Sequence, residues 1–323
     1  MVMNEGTVSI LMAIYRPNPE WFAAQLDSLE QQDYEKKELL VWNDCPEDDT
    51  DWESMLKEHI RSFPFKIYHG QQNLGSTKVF EKLTTLAEGE YLAYCDQDDV
   101  WHADKISRLI RLMQAQDATL ACSDMRVIDG DGRLLAEHIR EIRPRQVFAE
   151  GKKQLSSLLV RNFVTGCTMV VKSDIAKASR PFSAHMVHDY YLAIWNAIHG
   201  RIAICRDSLI DYRLHGSNQT ATLARIATTR DYYERRILPY AAWLQEFVSD
   251  ENLPPDARKQ IEKKCRWAGC RKAYAEQPNL GNFLRLAALA CHNVPTTCFE
   301  LMLPMLSQKV FSKLIDKIRG KNR

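Results

Sequence analysis

Three carboxylates fall within four residues, Asp96-Gln97-Asp98-Asp99, directly after the apolar run Glu90-Tyr-Leu-Ala-Tyr-Cys95. Crowded at the mouth of a buried strand, they repel one another unless a cation or basic ligand offsets their charge. Carboxylate oxygens suit Mg2+ or Mn2+, ions that share their remaining positions with substrate phosphates. The plainer alternative is an acidic loop capping the helix that begins near Ala103, and the position at a strand end favours the metal. Asp44 ends a second apolar run, where a carboxylate can accept hydrogen bonds from a ribose or base, or simply begin the turn at Cys45-Pro46. Asn73-Leu-Gly75, followed by Ser76 and Lys78, can turn backbone N–H groups and one ammonium toward a phosphate, although the spacing is not that of a P-loop. Met186-Val-His188-Asp189 puts a carboxylate at a helix start, where its ordinary role is an N-cap. Tyr212-Arg-Leu-His215-Gly adds an imidazole and a guanidinium in a loop, solvated or ligating.

The elements that must position these groups read as alternating strands and helices. Residues 8–15 form a β-rich apolar run ending at Arg16-Pro17, and residues 19–32 place Trp21, Phe22, Leu26 and Leu29 on one helical face. Strands over 37–44, 66–69 and 90–95 alternate with helices over 52–63 and 76–87. Parallel neighbours need crossovers, usually helical, so this order implies a doubly wound parallel sheet. Ligands then bind at the carboxyl ends of the strands, which brings Tyr15-Arg16, Asn43-Asp44 and Asp96 to Asp99 to one edge. Beyond Trp101 the expected elements are a helix over 103–116, a strand over 119–124 and a polar hairpin through Asp129-Gly-Asp-Gly132. A helix over 154–160, a strand over 166–171, a helix over 189–199 and strands over 201–205 and 208–212 complete the domain. After Asn218 only helical patterns remain, over 225–248, 255–276 and 282–290.

The formal charge of +1 conceals an asymmetry: residues 225–323 hold 18 Lys and Arg against 10 Asp and Glu, and the rest 25 against 32. An acidic front with a basic tail excludes a general nucleic-acid binder and leaves an anionic partner for the tail alone. Nine scattered cysteines without a C-x-x-C pair read as reduced, buried thiols, and the first six residues lack the pattern of a secretory leader, so a cytoplasmic location is expected. The most apolar stretch, residues 283–306, is interrupted by Arg285, His292, Asn293, Pro295 and Glu300 and does not read as a membrane span. Residues 309–323 place Val310, Phe311, Leu314, Ile315 and Ile318 at helical spacing among basic residues. Such a helix either lies on an anionic leaflet or docks on its own domain.

Taken in order, Ala13-Ile-Tyr-Arg-Pro17, Asp44, Asn73-Leu-Gly75, Asp96-Gln-Asp-Asp-Val-Trp101, Gly166-Cys-Thr-Met169, His188-Asp189 and Tyr212-Arg-Leu-His215-Gly resemble the family 2 glycosyltransferases with the A-type nucleotide-sugar fold. The resemblance covers residues 8–220, and D-Q-D-D-x-W with a later Y-R-x-H-G is similar to bacterial polysaccharide enzymes of the rhamnosyltransferase type. It implies an α/β fold with a mostly parallel, doubly wound sheet in a catalytic domain over residues 1–224, and an α-helical C-terminal region over 225–323. By the same resemblance Asp96 and Asp98 hold Mn2+ or Mg2+ against the donor diphosphate, with Asp99 as an alternative ligand and His215 as a further one. Ala13, Tyr15 and Arg16 pack on the nucleoside, Asp44 reads the pyrimidine, and Asn73, Gly75, Lys78 and Gln97 complete the donor set. Asp189 is the implied catalytic base, here preceded by His188 where many relatives carry an acid.

The implied activity is inverting transfer of a sugar, rhamnose from dTDP-rhamnose, to a lipid-linked or polysaccharide acceptor of bacterial surface glycan. It would occur at the inner face of the plasma membrane, with the acceptor on a polyprenyl diphosphate and membrane contact through residues 307–323. A UDP-hexose donor, or a non-catalytic carbohydrate-binding or scaffold relative, is the alternative. A nucleotidyltransferase would need a Gly-rich, basic first loop, which Ala13-Ile-Tyr-Arg-Pro-Asn18 is not.

Overall fold

Val8–Ile14 forms strand β1 at the centre of the parallel half of the sheet, and every side chain in it except Ala13 is buried. The computed structural model describes residues 6–152, 154–216 and 226–320. Residues 1–5 and 321–323, which bear on the leader reading and on the end of the basic C-terminal helix, lie outside the described residues. So do Lys153 and residues 217–225.

In the first unit β1 is followed by α1 (Pro19–Glu30), β2 (Lys37–Asn43), α2 (Trp52–His59), β3 (Phe65–His69), α3 (Ser76–Leu86) and β4 (Tyr91–Cys95). Then come β5 (Val100–Trp101), α4 (Lys105–Gln116), β6 (Leu120–Ile128), β7 (Leu134–Ala136) and the single turn α5 (Ile139–Ile142). After α6 (Leu155–Leu158), which belongs to the second unit, the first resumes with β8 (Met169–Lys172), α7 (Ser173–Ala178), α8 (His188–His199) and β9 (Ile202–Arg213). The strand order is β3-β2-β1-β4-β8-β6-β9-β5, with β7 on β6. Strands β3 to β4 are parallel, as are β6 and β9, whereas β8 runs antiparallel to both of its neighbours. The expected α/β doubly wound sheet is present.

Register is what brings distant chemistry together. Ile14 pairs with Asn43 and Met12 with Cys95, so the residues that follow, Tyr15, Asp44 and Asp96, leave the sheet at the same edge. The helix after β1 is locally encoded: the Asn18 side chain accepts from the N–H of Glu20 and Trp21, and Pro19 fills the first turn where no N–H is needed. Its buried Phe22, Leu26 and Leu29 each contribute about 2 kcal/mol of apolar burial.

Two expected breaks differ. Residues 166–168 form a 3-10 turn, with the strand starting at Met169. β9 is one strand, because register shifts against β6 around Asp124 absorb the exposed Arg206-Asp207 pair that reads as an interruption. All nine cysteines are free thiols, as expected, but Cys291 and Cys298 are exposed rather than buried.

The second unit is helical: α9 (Thr229–Tyr232), α10 (Leu238–Ser249), α11 (Pro255–Glu276), α12 (Leu280–Ala288), α13 (Val294–Met302) and α14 (Gln308–Gly320). Tyr233–Ile237 is a π-helical turn ahead of Pro239, which has no N–H to return to the preceding turn; the single helix expected over 225–248 is divided there. Arg271 is buried beneath Tyr240 and Trp267 and pairs bidentately with Glu300 at 2.7 and 2.5 Å. In α14, Phe311 and Ile315 are buried against Ile226, Tyr232 and Ile237, so this helix docks on its own unit, one of the two outcomes expected for it.

Candidate functional site

At the carboxyl edge Asp44 is buried, and its two oxygens accept the N–H groups of Leu74 and Gly75, each at 2.8 Å. Gly75 has φ of +78°, a conformation that glycine adopts without steric cost. The structure thus uses Asp44 to hold the Asn73–Gly75 loop against β2. Lys78 is also spoken for, its Nζ lying 2.9 Å from Glu81. Gln97 joins the first loop to the acidic one: its Oε1 accepts from Tyr15 N at 2.7 Å, and its Nε2 donates to Tyr15 O at 3.3 Å. It positions the loop rather than offering its amide outward. Tyr15 and Arg16 remain exposed beside Ala13, with Arg16 in the left-handed region at φ 45° and its Nε on Cys45 Sγ.

The acidic string divides in two. Asp98 faces His215, Oδ2 to Nε2 2.7 Å, and both side chains are partly exposed. Asp96 and Asp99 turn toward Cys167, and one ligand atom from each of the three lies within 4.8 Å of the others. Asp99 is fully buried; its Oδ1 accepts from Arg213 N at 3.0 Å, while Oδ2 has no partner. Arg213 ties the loop down, donating from Nε to Asp98 O and from a terminal nitrogen to Asp129 O and Gly130 O. Burial first, then repulsion from Asp98, pushes both the Asp96 and Asp99 carboxyls upward; Asp189 also pushes Asp96 upward. Lys105 lies fully buried in contact with this cluster. Its Nζ donates to Cys167 O at 2.5 Å, and burial draws its pKa down to about 7 against the pull of Cys167, Cys95, Asp99 and Asp96.

A group of carboxyls pushed toward protonation, with an orphaned buried oxygen, fits a divalent ion. Carboxylate oxygens are the donors that suit Mn2+ or Mg2+; those of Asp96 and Asp99 are gathered here, while Asp98 of the same string is turned to His215. The Cys167 thiol is held protonated by burial and is a poor partner for a hard cation.

Asp189 stands in the first turn of α8, nearly fully buried, with Oδ2 accepting from Gly166 N at 3.0 Å and Oδ1 from Asn162 Nδ2 at 3.2 Å. Burial raises its pKa to about 6, against these hydrogen bonds and that of Tyr190 N. The preceding His188 packs its ring on Phe80 and Tyr94 with both nitrogens unpartnered, and burial lowers its pKa to about 3. Asp189 therefore has a neutral neighbour near neutral pH. Gly166 is required by close approach: a Cβ there would lie 2.7 Å from His188 Nε2. Gly166→Ala should cost about 1–3 kcal/mol, the range for overpacking a full core, read as a lowered denaturant midpoint; an unchanged midpoint would show that the ring can yield. Gly166 is part of the quoted motif, but Asn162, Lys105 and the Cys167 carbonyl were not singled out from the sequence.

Residues 9–178 match Glycosyl transferase family 2, more than half of the 323-residue chain. The chain belongs to that family. Among relatives of this family 2 member, the Escherichia coli UDP-Glc:alpha-D-GlcNAc-diphosphoundecaprenol beta-1,3-glucosyltransferase WfgD is 26% identical over 192 residues, 59% of this chain and 69% of that one. The chain spans 58% of the length of the mycobacterial relatives that it matches at 27% identity. Two solved structures share the fold of this glycosyl transferase family 2 chain. S. aureus TarS 1-349 in complex with UDP-GlcNAc has a TM-score of 0.60 at 14% identity, covering 98% of this chain and 90% of that one. The mannosyltransferase PcManGT from Pyrobaculum calidifontis in complex with GDP-Man and Mn2+ has a TM-score of 0.56 at 13% identity, covering 99% and 86%.

Proposed function

We propose that this family 2 protein transfers a sugar from a nucleoside diphosphate donor to a saccharide hydroxyl, with inversion at the anomeric carbon. The observation that carries the reading is Asp189, a buried carboxylate with a pKa raised to about 6, near enough to Asp96 to raise that group as well. One half of the pair suits a base and the other a cation beside a diphosphate.

Asp189 takes the acceptor hydroxyl proton as that oxygen bonds to the anomeric carbon, and the bond from that carbon to the donor diphosphate breaks with its electron pair leaving on the nucleoside diphosphate. Gly166 N–H and Asn162 hold the Asp189 carboxylate in place. Asp96 and Asp98 would hold Mn2+ or Mg2+, which supplies charge stabilisation to the departing diphosphate. Tyr15 and Arg16 offer an exposed ring and guanidinium to the nucleoside, on a loop that Gln97 fixes.

The acceptor in this reading is a saccharide on a polyprenyl diphosphate, the kind of acceptor for which WfgD is named. The cellular setting is bacterial surface glycan, such as O-antigen or capsule, assembled at the inner face of the plasma membrane. No helix among the described residues is long and apolar enough to cross a membrane, so the protein would meet such an acceptor at the surface. The D-Q-D-D-x-W and Y-R-x-H-G strings favour dTDP-rhamnose; the UDP sugars named for WfgD and TarS favour a UDP-hexose. A thermal-shift screen of dTDP, UDP and GDP sugars with and without Mn2+ separates them. One nucleotide class should raise the midpoint in a Mn2+-dependent way, since a ligand at 100 times its Kd stabilises by about 2.7 kcal/mol. No shift with any donor would overturn the reading.

A further inference from the structure

The second unit carries an apolar surface that its own fold leaves uncovered. Between Asn279 and Gln308 the only Asp, Glu, Lys or Arg residues are Arg285 and Glu300, and Glu300 is buried against Arg271. Helix α12 turns Phe283 and Leu286 inward, packed with Trp267 and Tyr274 of α11. Leu280, Leu284 and Ala288 are left outward at a spacing of four, one helical face, and Cys291 in the 3-10 turn that follows is exposed as well.

Helix α13 repeats the arrangement. Its inner face is pinned to α11 by Trp267 Nε1 donating to Thr297 Oγ1 at 3.0 Å, by the Arg271–Glu300 pair, and by Tyr274 Oη donating to Leu301 O at 3.0 Å. Val294, Cys298 and Met302 face outward at the same spacing of four, and Met305 in the 3-10 turn that follows is exposed as well. Leu280 and Met305 are 73% and 77% exposed. A contiguous apolar face with an ordered inner side marks a surface that is covered in use.

The charges around this face indicate what covers it. Arg285 is exposed within it, and Lys309, Lys313 and Lys317 are exposed on α14. At the turn between α12 and α13, Lys263 and Arg266 of α11 are exposed and close enough to His292 to lower it, while the buried Lys264 is bonded to His292 O at 2.7 Å. Pairing with a second copy would bring these like charges together, whereas an anionic leaflet complements both the apolar centre and the basic surround.

We propose that the outward faces of α12 and α13 seat in the headgroup and acyl boundary of an anionic bilayer, so that the second unit lies on the membrane. On α14 Phe311 and Ile315 are already buried, and its exposed side carries Lys309, Lys313 and Lys317 with Val310 and Asp316 among them, so the main apolar contact falls to its neighbours. This goes beyond the glycosyl-transfer reading and can stand without it.

The test is flotation of the full chain with vesicles of phosphatidylcholine alone or mixed with phosphatidylglycerol, without donor or acceptor. The parent should float with the mixed vesicles, and Leu284→Glu with Met302→Glu should lower the partition at least about tenfold, as expected for removing two buried apolar anchors. Both positions are exposed, and an unchanged thermal midpoint confirms the fold. Lys309→Gln with Lys313→Gln should weaken binding to the mixed vesicles. A parent that stays with free protein, or a double Glu variant that floats equally well, would overturn the proposal. So would a lipid-free dimer in sedimentation velocity that the double Glu variant dissolves, since that assigns the face to a second copy. A chain that floats but transfers no sugar sinks only the functional reading.

Discussion

Asp189→Asn is expected to cut turnover by ~10²-fold or more while leaving donor affinity nearly unchanged, the scale lost when a positioned general base is removed. The substitution keeps shape and retains one oxygen for Gly166 N–H or for Asn162 Nδ2, while Asn162 itself stays anchored by its Oδ1 accepting from Val164 N at 3.0 Å. What disappears is the ability to accept a proton. In the parent, burial holds the Asp189 pKa near about 6, so turnover should fall as pH drops through that value, and the residual rate of the variant should not follow it. The stability effect has the opposite sense. A carboxylate whose folded pKa lies above its unfolded value favours the folded state only when protonated, so ionised Asp189 costs stability as pH rises from its unfolded pKa to about 6 and above. Asp189→Asn should therefore melt higher than the parent near neutral pH while being nearly inactive. Kinetics paired with thermal melts across pH check both signs, and unchanged turnover in the variant would remove Asp189 from the role of base.

The strand ends were legible because buried parallel strands read as apolar runs, and the polar residue that stops each run marks the sheet's carboxyl edge. Tyr15, Asp44 and Asp96 follow directly from that. Their partners were not. Asp44 reads as free to meet a ligand until Leu74 and Gly75 are folded onto it, and no spacing rule links residues 30 apart through backbone N–H groups. Lys105 reads as a surface lysine opening a helix, and its burial depends on a carbonyl at Cys167 supplied by a turn 62 residues later. Of the C-terminal helices, the apolar stripe of α14 was visible, but whether it faced protein or lipid depended on Ile226, Tyr232 and Ile237. The helix at Val294–Met302 is obscured in the sequence by Pro295 and the β-branched Thr296 and Thr297 that open it.

Asp98→Ala carries the second large effect, a loss of about 10²-fold in donor affinity measured with Mn2+, in line with the several kcal/mol that a bound metal contributes to diphosphate charge. The neighbouring acid gives the contrast. Asp99 is fully buried and accepts the Arg213 N–H, while Arg213 in turn fastens the Asp98 carbonyl and the Asp129-Gly130 turn, so Asp99→Ala should lower the melting temperature as well as donor affinity. Asp98 is partly exposed and, among the described residues, its side chain is bonded to His215, so Asp98→Ala should leave the melting temperature nearly unchanged. The pH dependence of Mn2+ affinity follows from the same cluster. Burial and mutual repulsion raise the Asp96 and Asp99 carboxyls, so protons compete with the ion, and Mn2+ should bind more tightly as pH rises, releasing protons as it does. Titration calorimetry in two buffers of different ionisation enthalpy counts those protons. Equal donor affinity with and without Mn2+ in the parent would take the ion out of the site, and the buried Lys105 would then be the cation left to offset the acids.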